Sequence, residues 1–359
     1  LYIYQNGELS RKDNTLRFTG EEGVKKDIPV NSISEIYFFG EDTVNTKLIT
    51  FLAQNNIIVH FFNYYDFYVS SLVPREMKVS GKLLVKQVEH YTYKEKRIEL
   101  AKEFVKSAGN NIYRNLRYYN GRGKDVKDAM NEITYLLKEV DSCDNIQQLM
   151  GVEGNIHKIY YSKWNVIIDQ ETDFTTRVKR PPDNMVNTLI SYINSLVYTT
   201  VLGEIYKTQL NPTISYLHEP GVSRFSLSLD IAEIFKPLIA DRLIFSLLNK
   251  NQIKEEKKEY RETVKLTETE YNTLLNKLGE QGSKIIKMEL QSIDILTTHL
   301  SEQGSKIILA EYDKRLKQTI MHKELGREVS YRYLIRLECY KLIKHLYDEK
   351  KYDSFVMWW

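Results

Sequence analysis

Residues 216–237 read Tyr-Leu-His-Glu-Pro-Gly-Val-Ser-Arg-Phe-Ser-Leu-Ser-Leu-Asp-Ile-Ala-Glu-Ile-Phe-Lys-Pro. From Ser226 to about Leu248 apolar side chains cover most of a helical circumference, the pattern of a helix buried on nearly all sides. At about 100° per residue, Ser226, Asp230, Glu233, Pro237 and Asp241 nevertheless share one narrow stripe. Two carboxylates one turn apart in a low-dielectric setting repel each other and resist burial, so something positive has to offset them. His218 stands just upstream, on a segment that Pro220 and Gly221 turn before the helix begins. A His on a turn, facing carboxylates at i and i+3 of a helix, can supply nitrogen and oxygen ligands to one divalent cation. The other reading is a buried ion pair of Asp230 or Glu233 with Arg224 or Arg242, and the stretch taken alone supports both. Pro237 cannot donate to the carbonyl of Glu233 and predicts a kink beside the carboxylates.

The chain around this stretch has 359 residues, room for two or three domains and a substantial core. With 51 basic and 48 acidic residues its net charge is +3, so a nucleic-acid surface must be a local patch. The 2 cysteines, Cys143 and Cys339, are far apart and lack metal-ligand spacing, which suits a reducing cytoplasm and argues against zinc or a disulfide scaffold. The opening Leu-Tyr-Ile-Tyr-Gln-Asn-Gly has no basic segment leading into an apolar one, so no signal peptide is expected. Residues 184–203 are uncharged over a membrane-spanning length, but Asn187, Ser191, Asn194, Ser195 and Thr199 are too polar for lipid. That segment reads as a buried core helix, and no membrane is expected as a partner.

Residues 1–73 read as β-rich, with short strand-like runs at 1–4, 8–12, 15–18, 33–39, 57–62 and 68–73 punctuated by Asn-Gly, Asp-Asn and single glycines. One helix is expected at Thr43–Gln54, and His60 reads as a hydrogen-bonded core residue. Beyond Pro74 the chain reads almost wholly as helices. Leu83–Tyr119 is a charged amphipathic stretch, with Gly109 as a candidate break. In Asn145–Asp169 the side chains of Leu149, Val152, Ile156 and Ile159 form an apolar helical face. Glu153 sits at its edge between Gly151 and Gly154, and glycines inside a helix hint at close approach by a ligand or another backbone, or at tight helix packing. His157, one turn on, makes a rival metal pair with Glu153. Arg177, Lys179 and Arg180 precede a double proline and suit either phosphate contacts or a solvated loop. In the uncharged helix that follows, Asn187, Ser191, Asn194 and Tyr198 form a polar stripe suited to face the one on Ser226–Asp241. After Lys250 comes a charged stretch holding Glu-Gln-Gly-Ser-Lys-Ile-Ile at 280–286 and again at 302–308, a local duplication. Amphipathic helices are expected near Ile307–Leu325 and Val329–Tyr347, ahead of a tail ending in Trp358 and Trp359.

Four stretches together resemble the CRISPR-associated integrase family, the universal spacer-acquisition protein of those immune systems. They are Gly-Val-Glu-Gly-Asn at 151–155, Arg-Val-Lys-Arg-Pro-Pro-Asp-Asn-Met-Val-Asn-Thr-Leu-Ile-Ser at 177–191, Tyr-Leu-His-Glu at 216–219 and Ser-Leu-Asp-Ile-Ala-Glu-Ile-Phe-Lys-Pro at 228–237. The likeness covers residues 1–250 and, more loosely, the helices after 306. It departs at about 250–305 and at His157, where a basic residue is more usual.

The resemblance implies an α+β protein: a small β-rich dimerisation domain over 1–75 and a larger all-helical catalytic domain over 76–359, assembled as a homodimer. It implies Mg²⁺ or Mn²⁺ held by Glu153, His218 and Glu233, with Asp230 alongside as a fourth catalytic residue. It further implies a DNA endonuclease and integrase that inserts short foreign fragments into a repeat array by 3′-hydroxyl attack on a phosphodiester. Expected partners are double-stranded DNA with single-stranded ends, CRISPR repeat DNA and a small ferredoxin-like adaptation protein. Arg177, Lys179, Arg180, Arg224, Lys236 and Arg242 are the candidates for phosphate contacts. The rival readings are a general repair or branched-DNA nuclease and a catalytically silent nucleic-acid scaffold.

Overall fold

In the computed structural model, described over residues 1–63, 68–74, 78–179, 182–222, 224–254, 301–322 and 324–358, a strand-rich N-terminal region leads into a mostly helical remainder. Strands β1 (Tyr2–Ile3), β5 (Glu35–Phe38), β7 (Ile58–Phe62) and β8 (Tyr68–Leu72) form one sheet in the order β1-β5-β7-β8. Its first three strands run parallel and β8 is antiparallel to β7. A second sheet has the order β4-β3-β2-β6, from β2 (Gly7–Lys12), β3 (Thr15–Gly20), β4 (Lys25–Pro29) and β6 (Asp42–Val44). Leu9 and Leu16 from this sheet, Ile36, Phe38 and Val59 from the first, and Leu48, Phe51 and Leu52 from helix α1 (Thr46–Gln54) close one apolar core. The helix begins later than the sequence suggests because Asn45, by accepting from the N–H of Leu48, caps it there, while 42–44 pair with β2.

The helical part comprises α2 (Gly81–Thr92), α3 (Lys94–Asn120), α4 (Lys127–Ser142), α5 (Ile146–Ser162), α6 (Trp164–Ile167), α7 (Met185–Tyr206), α8 (Ser226–Lys236) and α9 (Arg242–Asn249), with further helices at Glu302–Lys317 and Tyr331–Leu346. The long N-terminal stretch breaks at Tyr93, not at Gly109, whose missing side chain instead admits Leu137 and Ile156. Helix α7 is long and apolar enough to cross a membrane by length and composition, but it is largely buried among its neighbours through Leu189, Ile193, Val197 and Val201. Between the two last helices lies a hairpin, Thr319–His322 paired with Arg327–Ser330, so the first of the two expected helices ends at Lys317 and not near Leu325. Gly326, at φ 61°, makes the reversal that ends the helical reading. The first copy of the duplicated heptapeptide lies outside the described residues, and the second opens the helix Glu302–Lys317, where Ile308 is buried.

The sheet and the helices meet across buried charge. Strand β5 buries all four of its residues, and its Glu35 and Tyr37 alternate with the core-facing Ile36 and Phe38. Glu35 pairs with Lys207 and Arg332 and accepts from the Tyr37 hydroxyl at 2.5 Å. Glu204 on α7 pairs with Lys207 at 2.9 Å, Arg336 at 2.6 Å and Arg332 at 3.8 Å. Burial alone would push Glu35 up, but Arg332 and Lys207 outweigh it and hold the carboxylate below its usual range. His60 is fully buried with Nδ1 2.7 Å from Ser71 Oγ, and burial lowers it to about 4, so it is the neutral core histidine expected. A Cβ on Gly203 would stand 2.8 Å from Glu35 Oε1 and 3.3 Å from His60 Nε2, so α7 can pass this strand only at a glycine.

Glu35→Ala leaves Arg332 and Lys207 facing an empty buried site and should destabilise the protein by about 3–5 kcal/mol. Gly203→Ala should destabilise it by about 1–3 kcal/mol through overpacking. Chemical denaturation of the two variants measures both.

Candidate metal centre

Helix α8 is buried on every side: Leu227, Ile231, Ala232, Ile234 and Phe235 are all fully enclosed, as the apolar circumference required. Pro237 does disturb the helix, and the form of the disturbance is a π turn over Pro237–Asp241. Carbonyls released there are taken by α3, where Asn111 Nδ2 donates to the Ile234 carbonyl at 3.0 Å and Asn115 Nδ2 to the Pro237 carbonyl at 2.7 Å. Asp230, Glu233 and Asp241 all remain buried.

Asp230 is fully committed. Its Oδ2 accepts the backbone N–H of Tyr216 at 2.7 Å and of Leu217 at 3.0 Å. Its Oδ1 accepts the N–H of His218 at 2.9 Å and lies 2.8 Å from His218 Nδ1. The carboxylate therefore folds the 216–218 segment around itself and engages Nδ1, leaving Nε2 as the imidazole nitrogen open to a ligand. From outside, Arg97 grips the same segment, donating to the Tyr216 carbonyl at 2.9 Å and to Glu219 Oε2 at 2.7 Å. Tyr91 donates to the other oxygen of Glu219. Neither Arg224 nor Arg242 supplies the expected buried ion pair: Asp230 is satisfied by backbone and imidazole, and the cation on Glu233 is Lys236.

Glu153 and His157 stand one turn apart on α5 and face Glu233. His157 Nε2 lies 3.1 Å from Glu153 Oε1 and 3.6 Å from Glu233 Oε2, and one ligand atom from each of the three falls within 4.8 Å of the others. Lys236 Nζ is 2.5 Å from the second oxygen, Glu233 Oε1, and 4.8 Å above the Tyr198 ring. Glu233 Oε2 is buried and has no hydrogen-bond partner, since 3.6 Å is an ion-pair separation. Burial pushes Glu233 up, but Lys236, His157 and His218 together hold it below the usual carboxylate range. His218 is thus within electrostatic reach of Glu233. Burial would lower His157, yet Glu153 and Glu233 overcome this and raise it to about 10. Asp241 is pushed up to about 7, first by burial.

This donor set fits a divalent cation. Two carboxylates, one with an orphaned oxygen, converge on the imidazole of His157, while the expected ligand His218 stands outside that group of three, and the side chains of Glu153, His157 and His218 retain 17%, 18% and 18% exposure. Gly151 and Gly154 are exposed, and a Cβ on either would meet nothing within 4 Å, so no packed backbone explains them and the face beside Glu153 is left uncovered.

The basic candidates divide. Lys236 belongs to the centre. Arg177 is spent on structure, donating to Asn187 Oδ1 at 3.0 Å and Ser191 Oγ at 2.9 Å and so using two members of the α7 polar stripe, while Tyr198 of that stripe meets Lys236 of α8. Lys179 and Arg224 are exposed, Arg242 lies over the Tyr118 ring at 5.3 Å, and Arg180 lies outside the described residues. Sequence reasoning missed Arg97, Asn111 and Asn115, none of which sits in a motif. His157 was visible only as a common Glu-x-x-x-His spacing.

A family profile described as "CRISPR associated protein Cas1" matches residues 1–280. A CRISPR-associated endonuclease Cas1 from Fusobacterium nucleatum is 56% identical over 358 residues, covering 100% of this chain and 96% of its own length. The solved structure of a CAS1 protein from Thermotoga maritima superposes with a TM-score of 0.77 at 36% identity, covering 99% of each chain. A casposase bound to its integration product shares the fold, with a TM-score of 0.78 at 20% identity over 98% of this chain and 91% of that one.

Because His157 is raised from 6.5 to about 10, the stability contributed by its protonated form is complete below about pH 6.5 and is lost as pH climbs toward 10. In the metal-free protein the denaturation midpoint should therefore fall across that window, and His157→Gln should flatten the fall. Parallel denaturant titrations from pH 6 to 10 measure the difference between the two curves.

Proposed function

The chain belongs to the Cas1 family of CRISPR-associated proteins, and from that premise we propose that it is a divalent-metal-dependent DNA endonuclease and strand-transfer integrase. The observation that carries this reading is the convergence of Glu153, His157 and Glu233 within 4.8 Å beside a His218 whose Nδ1 is already engaged. Glu153, His218 and Glu233 are the residues that would hold Mg²⁺ or Mn²⁺. When bound, the cation supplies charge opposite the phosphate oxygens and acidifies the attacking hydroxyl.

The chain's own residues prepare the rest. Asp230 fixes the His218 ring through Nδ1, so that Nε2 needs no reorganisation to meet a ligand. Lys236 sets a fixed ammonium beside Glu233, where a phosphodiester entering the centre meets positive charge without a water shell between them. Arg97 holds the backbone of Tyr216, keeping the His218 segment from drifting as the DNA arrives. The nucleophile is a DNA 3′-hydroxyl in strand transfer and water in nicking, with the broken P–O bond leaving a new 3′-hydroxyl on the target. Lys179 and Arg224, both exposed, are suited to extend the contact along the backbone. The substrate is double-stranded DNA with single-stranded ends, and the target is repeat DNA. The working assembly is a homodimer joined by a small ferredoxin-like partner, acting in the cytoplasm.

Glu153→Ala, His218→Ala and Glu233→Ala should each abolish transfer of a short DNA fragment into a repeat-bearing target in Mn²⁺, with circular dichroism unchanged. Normal integration by any of the three would overturn the assignment. Cleavage of branched DNA with no transfer into the repeat target would replace it with a repair nuclease.

A further inference from the structure

We propose that His157 is a metal ligand in its own right, so that the centre offers two imidazole nitrogens together with Glu153 and Glu233 and takes Mn²⁺ in preference to Mg²⁺. This rests on reading the centre as a divalent-cation site and goes beyond it, because the family resemblance draws its single nitrogen from His218.

The geometry already has the required scale. Donors each about 2.0–2.2 Å from one ion lie roughly 3–4.4 Å from one another. The His157 Nε2 distances of 3.1 Å to Glu153 and 3.6 Å to Glu233 fall in that interval without any side chain turning. Glu153 and His157 are four residues apart on one helix, the spacing that brings two ligands to the same face. The Glu233 oxygen nearer to His157 is the buried one that lacks a hydrogen-bond donor, as a coordinating atom does when its ion is removed. The imidazole is also held in place: the Tyr161 ring lies against it, centroids 5.7 Å apart at 30°.

Chemical preference follows from the donors. Mg²⁺ demands oxygen ligands and retained waters, and among first-row ions, where imidazole suits iron, nickel and zinc best, Mn²⁺ is the weakest but still accepts nitrogen more readily than Mg²⁺ does. Each imidazole therefore counts more against Mg²⁺ than against Mn²⁺, and a second nitrogen widens the difference. The basic residue more usual at this position cannot do the same, since an amine or guanidinium keeps its proton and has no lone pair to give, whereas His157, an imidazolium paired with Glu153 and Glu233 in the metal-free protein, releases its Nε2 proton to solvent as the ion takes its place.

The test uses the full-length protein and MnCl₂ alone, without DNA. Titration by electron paramagnetic resonance gives the affinity, and pulsed measurement of nitrogen couplings to bound Mn²⁺ counts the imidazoles. Wild-type protein should show two coupled nitrogens and bind Mn²⁺ at least tenfold more tightly than Mg²⁺. His157→Gln should show one nitrogen, lose about tenfold in Mn²⁺ affinity and change little toward Mg²⁺. His218→Gln should retain the coupling from His157. One nitrogen in the wild type, or His157→Gln binding Mn²⁺ as tightly as the wild type, overturns the proposal and leaves the divalent centre standing. No Mn²⁺ binding by the wild type overturns both. The count in the wild type depends on no variant, so misfolding of either substitution does not blur the outcome.

Discussion

Asp230 is the interaction on which the rest of the centre depends. An ionised carboxylate buried without partners is severely unfavourable, and this one is neutralised by no Lys or Arg among the described residues. It survives because three backbone N–H groups and one imidazole converge on its two oxygens. The consequence runs in both directions. Burial of the charge is possible only if residues 216–218 wrap around it, and that wrapping carries His218 to α8 beside Asp230. A segment with Pro220 and Gly221 after it has no regular structure to hold its shape, so the carboxylate does what a helix or strand would otherwise do.

The second carboxylate is positioned by an irregularity. Pro237 removes a hydrogen bond from α8, and the π turn that follows leaves carbonyls without intrahelical partners. Asn111 and Asn115 on α3 supply the missing donors, which ties the widest point of α8 to the longest helix of the described chain. Asn111 also reaches the C-terminal tail, where its Oδ1 accepts the Met357 N–H at 2.8 Å. Trp358, half exposed, follows this anchor, and Trp359 lies outside the described residues. A helix that turns irregular beside its functional side chains is thus pinned from a neighbouring helix.

Much of this was readable from residue patterns, and the failures have physical reasons. Periodicity identified α8 as buried and placed Asp230, Glu233 and Asp241 on one stripe, because burial on all sides leaves a helix no other place for polar groups. Alternation identified most strands but passed over β4, whose Lys25, Lys26 and Asp27 lie on an exposed edge, and β6, whose three residues are too short for a period. The hairpin at 319–330 carries enough apolar residues to imitate a helical face, but its strands pair with each other and Gly326 turns between them with a positive φ. Arg177 looked like a phosphate ligand because its neighbours are basic. In the structure it donates to Asn187 and Ser191, polar groups on a helix that is otherwise largely buried among apolar neighbours. Charge type is visible in a sequence, but what a charge faces is a matter of tertiary packing.

Two buried clusters of charge in this chain show how a structural network differs from a working one. At the junction of sheet and helices, Glu35 and Glu204 face Lys207, Arg332 and Arg336, and no oxygen of either carboxylate lacks a partner. Both carboxylates are enclosed, nothing more can enter, and the cluster joins two layers. At the centre between α5 and α8, Glu153 and Glu233 face Lys236 and His157, whose charge can be given up as a proton, and Glu233 Oε2 stays unsatisfied. Three of the side chains around it remain in touch with solvent. A cluster meant only to hold the fold gains nothing from an orphaned oxygen or from a removable counter-charge, since each weakens it. The orphaned oxygen and the partly exposed side chains around it distinguish this centre from the junction that resembles it in composition, and they are what the proposed cation site rests on.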